Sequence, residues 1–162
     1  MSTTAYTVSP IGHVSAQAGR FSLVLQKRYA PALRELDGFS HVVVLWWCHH
    51  VDKEEHRRLT EFDRPYRKSP ARVGVFATRS PSRPNPIAAT AVPVLKIDHA
   101  GGVLEIPFID AEDGSPVVDI KPYHPCTDRI REVSVPAWCR HWPQWYEDSA
   151  QFDWGAEFVS AE

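Results

Sequence analysis

The chain has 162 residues, 43% of them hydrophobic and 23% charged, with a formal net charge of -2. That length suffices for one domain with its own core, and the near-neutral charge excludes a whole-protein field drawing in nucleic acid, leaving only a local basic patch for that purpose. No apolar run approaches the roughly 20 residues of a membrane helix. The N-terminal MSTTAYTVSP has neither the basic nor the apolar part of a signal peptide, and three widely spaced cysteines (Cys48, Cys126, Cys139) form no disulfide framework. A cytoplasmic protein is expected.

Fourteen prolines against eight glycines exclude long helices over most of the chain. They favour many short strands joined by stiff turns, as in a small barrel. Residues 6–14 read as a first strand interrupted by Pro10. After a glycine-containing loop at 17–20, Phe21, Leu23 and Leu25 show the two-residue period of a half-buried strand. Residues 29–36 predict one or two helical turns, with Pro31 near their start and Gly38 placed to end them. Residues 42–47, VVVLWW, are the most hydrophobic run. Their β-branched and aromatic content predicts a central strand covered on both faces. The charged stretch 52–69 reads as an exposed helical turn and a long loop.

Residues 74–90, GVFATRSPSRPNPIAAT, begin as a strand-like run at 75–78 and then set Arg79, Ser80, Arg83 and Asn85 among three prolines. Each proline fixes its own φ and pushes the residue before it out of the helical region. Two guanidiniums and an amide thus sit on a stiffened loop, which loses little entropy on gripping a ligand. Guanidinium forks bind carboxylates or phosphates, and internal salt bridges are the alternative use. Strand character resumes at 91–97, followed by a hairpin at 99–102, a strand at 103–106, a turn at Asp113-Gly114 and a strand at 117–120. In the last segment Trp138, Trp142 and Trp145 fall at helical spacing, which predicts an apolar helix face despite Pro143.

Asp119, Lys121 and Tyr123 alternate along a strand and so share one face. That face offers a general base, a positive charge and a hydrogen-bonding phenol; a plain surface ion pair is the alternative. His41, Cys48, His49, His50, His124 and Cys126 make no CxxC or HExxH motif, so no metal site is expected. Neither GxGxxG nor GxxxxGK[ST] occurs, which removes the usual nucleotide phosphate loops.

Three stretches, FSHVVVLWWCHH (39–50), GVFATRSPSRPNPIAAT (74–90) and DAEDGSPVVDIKPYHP (110–125), together with IGHV (11–14) and YAPALRELDGF (29–39), closely resemble the TsaA-like, or TrmO, family. The resemblance runs from about residue 6 to 131. It implies a mainly β fold, a small single-domain TsaA-like β-barrel with short helices over residues 1–162. Its core would span about 6–131 and a Trp-rich segment 132–162. It also implies an S-adenosylmethionine-dependent methyltransferase whose characterised activity is N6-methylation of threonylcarbamoyladenosine at position 37 of tRNA. A homodimer with the cofactor near the subunit interface goes with it. The cofactor-binding residues it implies are Phe76, Arg79, Ser80, Arg83, Pro84, Asn85, Ile87 and Asp110. Asp119, Lys121 and Tyr123 are the catalytic candidates, with Asp119 as base and Lys121 neutralising developing charge; His41 and His49 are further base candidates. Two departures stand out: Ala88 occupies a position that is usually glycine, and the chain ends at Glu162 where characterised members carry an additional C-terminal domain. The acidic end after Tyr146 also disfavours phosphate. A methyltransferase acting on a small molecule and a non-catalytic S-adenosylmethionine-binding module are the alternative readings.

Overall fold

The computed structural model describes residues 5–159, so the readings of Met1–Thr4 and of Glu162 fall outside the described residues. The chain divides into two compact units: residues 1–52 with 85–129, and residues 53–84 with 130–162.

The first unit is a seven-stranded antiparallel sheet of β1 (Gly12–Gln17), β2 (Arg20–Leu25), β3 (His41–Trp47), β6 (Ile87–Pro93), β7 (Lys96–Asp98), β8 (Val103–Ile106) and β9 (Pro116–Pro122). Its order is β6-β3-β9-β1-β2-β8-β7. The first strand thus starts later than the sequence pattern suggests, because Ile11 is the last residue before regular pairing begins. The segment 27–38 forms two 3-10 turns, as the Pro31 and Gly38 signals suggest.

Among the described residues no closed barrel forms, which corrects the barrel expectation. The end strands β6 and β7 share no hydrogen-bond ladder, yet only Val94 and Leu95 separate them in the chain. Val94 N–H donates to Ser40 and Leu95 N–H to Glu105, one on each side of the sheet's ends. The chain therefore turns the corner that a closing ladder would otherwise make.

β3 is central, paired with β6 on one side and β9 on the other. It is not covered equally on both faces. Val42, Val44 and Trp46 are buried, while His41, Val43, Leu45 and Trp47 are half-buried. The inward residues join Val14, Leu23, Val92, Leu104, Ile109 and Val117 in one core, each such side chain contributing about 1.5–3 kcal/mol. At the far end of β1, Asp113 accepts from the Ala16 N–H (2.8 Å) and the Gln17 amide (3.3 Å), and those bonds hold its carboxyl below the ordinary range.

In the second unit β4 (Glu61–Asp63) and β5 (Arg72–Gly74) make a two-stranded sheet where a long loop was expected, preceded by the one-turn helix α1 (Glu54–Arg57). The strand-like run after β5 is instead a 3-10 turn, Val75–Ala77. Thr78 closes it with its N–H (3.1 Å) and hydroxyl (2.9 Å) both on the Val75 carbonyl. The expected tryptophan helix is absent as well. Residues 137–139 and 146–151 are short 3-10 turns on either side of Pro143, followed by the one-turn helix Trp154–Glu157. Trp138 stacks on Tyr66 (5.4 Å) and Trp142 meets its edge (4.9 Å), whereas Trp145 is 69% exposed. No helix among the described residues is long and apolar enough to cross a membrane.

Gly12 leaves no room for a side chain. A Cβ there would run into the Val24 carbonyl and approach Leu25 Cα to 2.8 Å. Gly12→Ala is expected to cost about 1–3 kcal/mol through the forced separation of β1 from β2. Thermal denaturation reads this as a lowered Tm.

Candidate active site

Within the first unit the site candidates follow from a bulge. The pairing of β3 with β9 shifts between Leu45 and Trp46, so that Trp46 faces Val117 while Leu45 faces Asp119. Val118 is the extra residue. In an unbroken strand Val117 and Asp119 would point to the same side. The bulge reverses that: Val117 lies wholly in the core, and Asp119 shares the outer face with Leu45.

On that face Lys121 lies beside Val43, and Tyr123 N–H donates to the His41 carbonyl (3.0 Å). The Lys121 ammonium reaches Asp119 Oδ2 at 2.6 Å, and Asp119 Oδ1 accepts from the Ile120 N–H at 2.9 Å. The hydrogen bond to Asp119, and then its charge, raise the Lys121 pKa above its ordinary 10.5. Both side chains remain substantially exposed, so the pair contributes little to stability. The Tyr123 and His41 rings are 6.3 Å apart, with His41 Nδ1 on the Ser40 hydroxyl (2.9 Å). Cross-strand register adds what sequence reasoning missed. Ala89 faces Leu45 and Ala91 faces Val43, so a half-buried apolar floor flanks the charged pair. Small residues on β6 were the available signal. Ala88, by contrast, packs against the core opposite Trp46.

Asn85, Ile87 and Asp110 also belong to this unit. Asn85 is exposed and its carbonyl accepts from the Ile87 N–H (2.7 Å); Ile87 opens β6 opposite Trp47. Cys48 N–H on the Pro86 carbonyl (2.8 Å) sets this turn beside Cys48–His50. The His49 and His50 rings lie 3.9 Å apart in a 3-10 turn, not on opposite faces of a strand. Asp110 is exposed just after the core residue Ile109.

Phe76, Arg79, Ser80, Arg83 and Pro84 belong to the second unit. The motif loop is braced from within. Arg83 donates to the carbonyls of Thr78 and Ser80, each at 3.3 Å. Ser80 N–H donates to the Thr78 hydroxyl, and Ser82 N–H to the Ser80 hydroxyl, each at 3.2 Å. Helix α1 braces it from outside, through Arg57 on the Pro84 carbonyl (3.3 Å) and His56 against the Ser82 hydroxyl (3.3 Å). The Arg83 fork is therefore partly spent on its own loop, whereas Arg79 and Phe76 are exposed, Phe76 by 81%. Among the described residues no cluster of three or more His, Cys, Asp or Glu is arranged to hold a metal.

Behind the loop stands Tyr66. Its ring fills the cage of Trp138, Trp142 and Phe158. Its phenol is raised in pKa by burial, against a backbone hydrogen bond from Arg79 that acts in the lowering direction. Glu157 anchors the cage. It is 5% exposed, and His141 Nε2 reaches its Oε2 at 3.0 Å. Burial alone would raise its carboxyl. The bond from His141, with the Trp142 indole N–H nearby but completing no hydrogen bond, outweighs that and holds it below the ordinary 4.5. Because the folded value is the lower one, this stabilisation is full above about pH 4.5 and is lost as pH falls through the folded value. Glu157→Gln is expected to cost about 1–3 kcal/mol near neutral pH. The penalty shrinks in acid, as denaturation midpoints of the two proteins measured from pH 7 to pH 3 will read.

Residues 4–129 match the family described as tRNA-methyltransferase O N-terminal domain. An Archaeoglobus fulgidus protein named S-adenosyl-L-methionine-binding protein is 35% identical over 120 residues, covering 71% of this chain and 81% of that one. The Escherichia coli K12 protein named tRNA (adenine(37)-N6)-methyltransferase is 38% identical over 127 residues, covering 76% of this chain and 53% of its own length. A solved structure described as "Crystal structure of TrmO" aligns with a TM-score of 0.64 at 30% identity, covering 82% of this chain and 64% of that one. The chain thus spans about half the length of the Escherichia coli relative and just under two thirds of the solved structure.

Proposed function

The chain belongs to the tRNA-methyltransferase O family as an S-adenosylmethionine-dependent methyltransferase, and we propose that its acceptor is the N6 nitrogen of threonylcarbamoyladenosine at position 37 of tRNA. The observation that carries the acceptor chemistry is the Asp119–Lys121 pair, 2.6 Å apart, set beside a half-buried apolar floor. S-adenosylmethionine supplies an electrophilic methyl group when bound.

Two exposed side chains of the motif loop support the cofactor reading. Arg79 offers an exposed guanidinium for an α-carboxylate, on a loop already braced by Arg83 and Arg57. Phe76 offers an aromatic face to a sulfonium. Ser80, Pro84, Asn85, Ile87 and Asp110 are the remaining proposed contacts. Methyl transfer needs the reactants aligned, which rigid side chains on paired strands favour. The acceptor nitrogen, next to an acyl group, must also lose its proton. Asp119 takes it, and Lys121 offsets the charge that develops on the acyl oxygen. Tyr123, held at the end of β9 beside His41, orients the acceptor.

The proposal includes a cytoplasmic homodimer, which rests on the family resemblance alone. Light scattering at micromolar concentration reads the assembly; a monomer that is fully active would remove the dimer from the scheme.

Asp119→Asn is expected to reduce methyl transfer by about 100-fold or more while S-adenosylmethionine binds nearly as before. Calorimetry that finds cofactor binding lost instead makes Asp119 a binding residue. Transfer of labelled methyl to bulk tRNA, set against a metabolite extract, tests the acceptor. Label recovered as N6-methylthreonylcarbamoyladenosine supports it, and label confined to small molecules overturns it.

A further inference from the structure

Segment 53–84 carries nine basic residues against four acidic ones, an excess of five positive charges in a chain whose net charge is negative. The second unit sorts these cations by what they touch. Arg58 is paired with Glu54 at 2.8 Å. Arg72 lies between Glu61 (3.4 Å) and Asp63 (3.3 Å). Arg57 and Arg83 are spent on backbone carbonyls of the motif loop. Of the other five, Lys53 precedes α1 and Arg79 lies in the motif loop, while Arg64, Arg67 and Lys68 are grouped, all three exposed, in the connection between β4 and β5. Resting on the methyltransferase reading above, we propose that this connection is a docking surface for the phosphodiester backbone of the RNA substrate, with Arg64, Arg67 and Lys68 as its phosphate contacts.

Three observations carry this. The connection is rigid. Arg64 N–H closes it on the Ala71 carbonyl (2.8 Å), and Ser69 bonds back to the Tyr66 carbonyl through its hydroxyl (2.9 Å) and its N–H (3.1 Å). It is also pinned from below. Arg67 N–H donates to the Glu157 carbonyl (2.9 Å), Val159 N–H to the Pro65 carbonyl (3.1 Å), and Tyr66 sits in the tryptophan cage between the exposed cations. Three charged side chains are thus presented from a fixed backbone, so little order remains to be imposed when they meet a ligand.

The third observation is strain. Arg64 has φ of 36°, in the left-handed region where a non-glycine residue is costly. Glycine would relieve that cost and would lose the guanidinium. Asp63, just before Arg64, is paired with Arg72, and Glu157, which feels the charge of Lys68, is buried and bonded to His141, so neither is committed to these three cations. Two of the three cations are arginines, whose forks match phosphate oxygens. Contacts of this kind fix position without reading sequence.

The test uses the full chain. Binding of tRNA is measured across salt concentrations for the wild type, Arg64→Gly, and Arg64→Gly combined with Arg67→Ala and Lys68→Ala. KM for tRNA and for S-adenosylmethionine and the melting temperature are measured alongside. The slope of log Kobs against log salt is expected to flatten by about 1 for each cation removed. KM for tRNA rises and that for S-adenosylmethionine holds. Arg64→Gly alone should weaken tRNA binding while the melting temperature stays level or rises, a combination that a purely structural arginine does not give. A triple variant with unchanged slope and unchanged KM for tRNA, on a wild type that methylates tRNA, overturns this surface alone. A wild type that neither binds nor methylates tRNA overturns both this surface and the proposed acceptor. A triple variant that loses binding to anionic vesicles or an acidic peptide while keeping its tRNA slope also overturns it.

Discussion

A single inserted residue, Val118, determines what the outer face of the sheet can do. β9 must place Val117 among Val14, Val44 and Leu104 in the core. It must also carry Asp119 and Lys121 outward, beside Leu45 and Val43. The two-residue period of a strand forbids both at once. The bulge meets both demands, and it also explains why the ion pair is neighboured by apolar partners on β3 and β6. A strand without it would bury the carboxylate uncompensated or expose the valine. Burying an unpaired carboxylate is far the more costly of the two. The chemistry and the core of this unit are therefore coupled through one backbone irregularity, and neither can be altered in β9 without consequence for the other.

The second unit depends on a different device. Its two strands are only three residues each and cannot bury a core between them. What holds them is an aromatic cage supplied from residues 138–158, with Tyr66 at its centre and Glu157 bonded beneath. Tyr66 faces two ways. Its ring is the anchor of the connection that carries Arg64, Arg67 and Lys68, and its phenol meets the backbone of Arg79 in the motif loop. The tryptophan-rich segment lies beyond the residues that match the family, and its contribution is to make short strands and a proline loop stiff. Its one buried acid, Glu157, is bonded to His141 and does not face the hairpin connection as a free charge.

The motifs legible in the sequence were those whose meaning is local. Alternation at Phe21, Leu23 and Leu25, the turn at Asp113-Gly114 and the shared face of Asp119 and Lys121 each follow from a period or a dihedral preference within a few residues. The structure carries all three. The misreadings came where a further contact, near or distant, overrides the pattern. VVVLWW looks doubly buried because β-branched and aromatic residues serve equally well on an outer apolar floor. VFAT looks like a strand until Thr78 closes a turn on Val75. Trp138, Trp142 and Trp145 look like a helix face, but Pro143 denies the backbone and Tyr66 supplies the contact that their spacing suggested. The seven-strand order without a closing ladder was not readable at all, since it depends on the corner made by Val94 and Leu95.

The arginines of the motif loop illustrate why residue type alone underdetermines role. Arg79 and Arg83 are chemically equal and four residues apart, and both suit an anionic ligand. Their surroundings divide them. Arg83 has two carbonyl acceptors within its own loop, at 3.3 Å each, and a guanidinium so engaged gives up donors that a carboxylate would otherwise receive. Its main contribution is then to the shape of the loop, with Arg57 doing the same from α1 at Pro84. Arg79 has an exposed side chain, and its backbone is tied to the Tyr66 phenol. The bracing of the loop therefore belongs to Arg83, and the two arginines differ in what their surroundings ask of them.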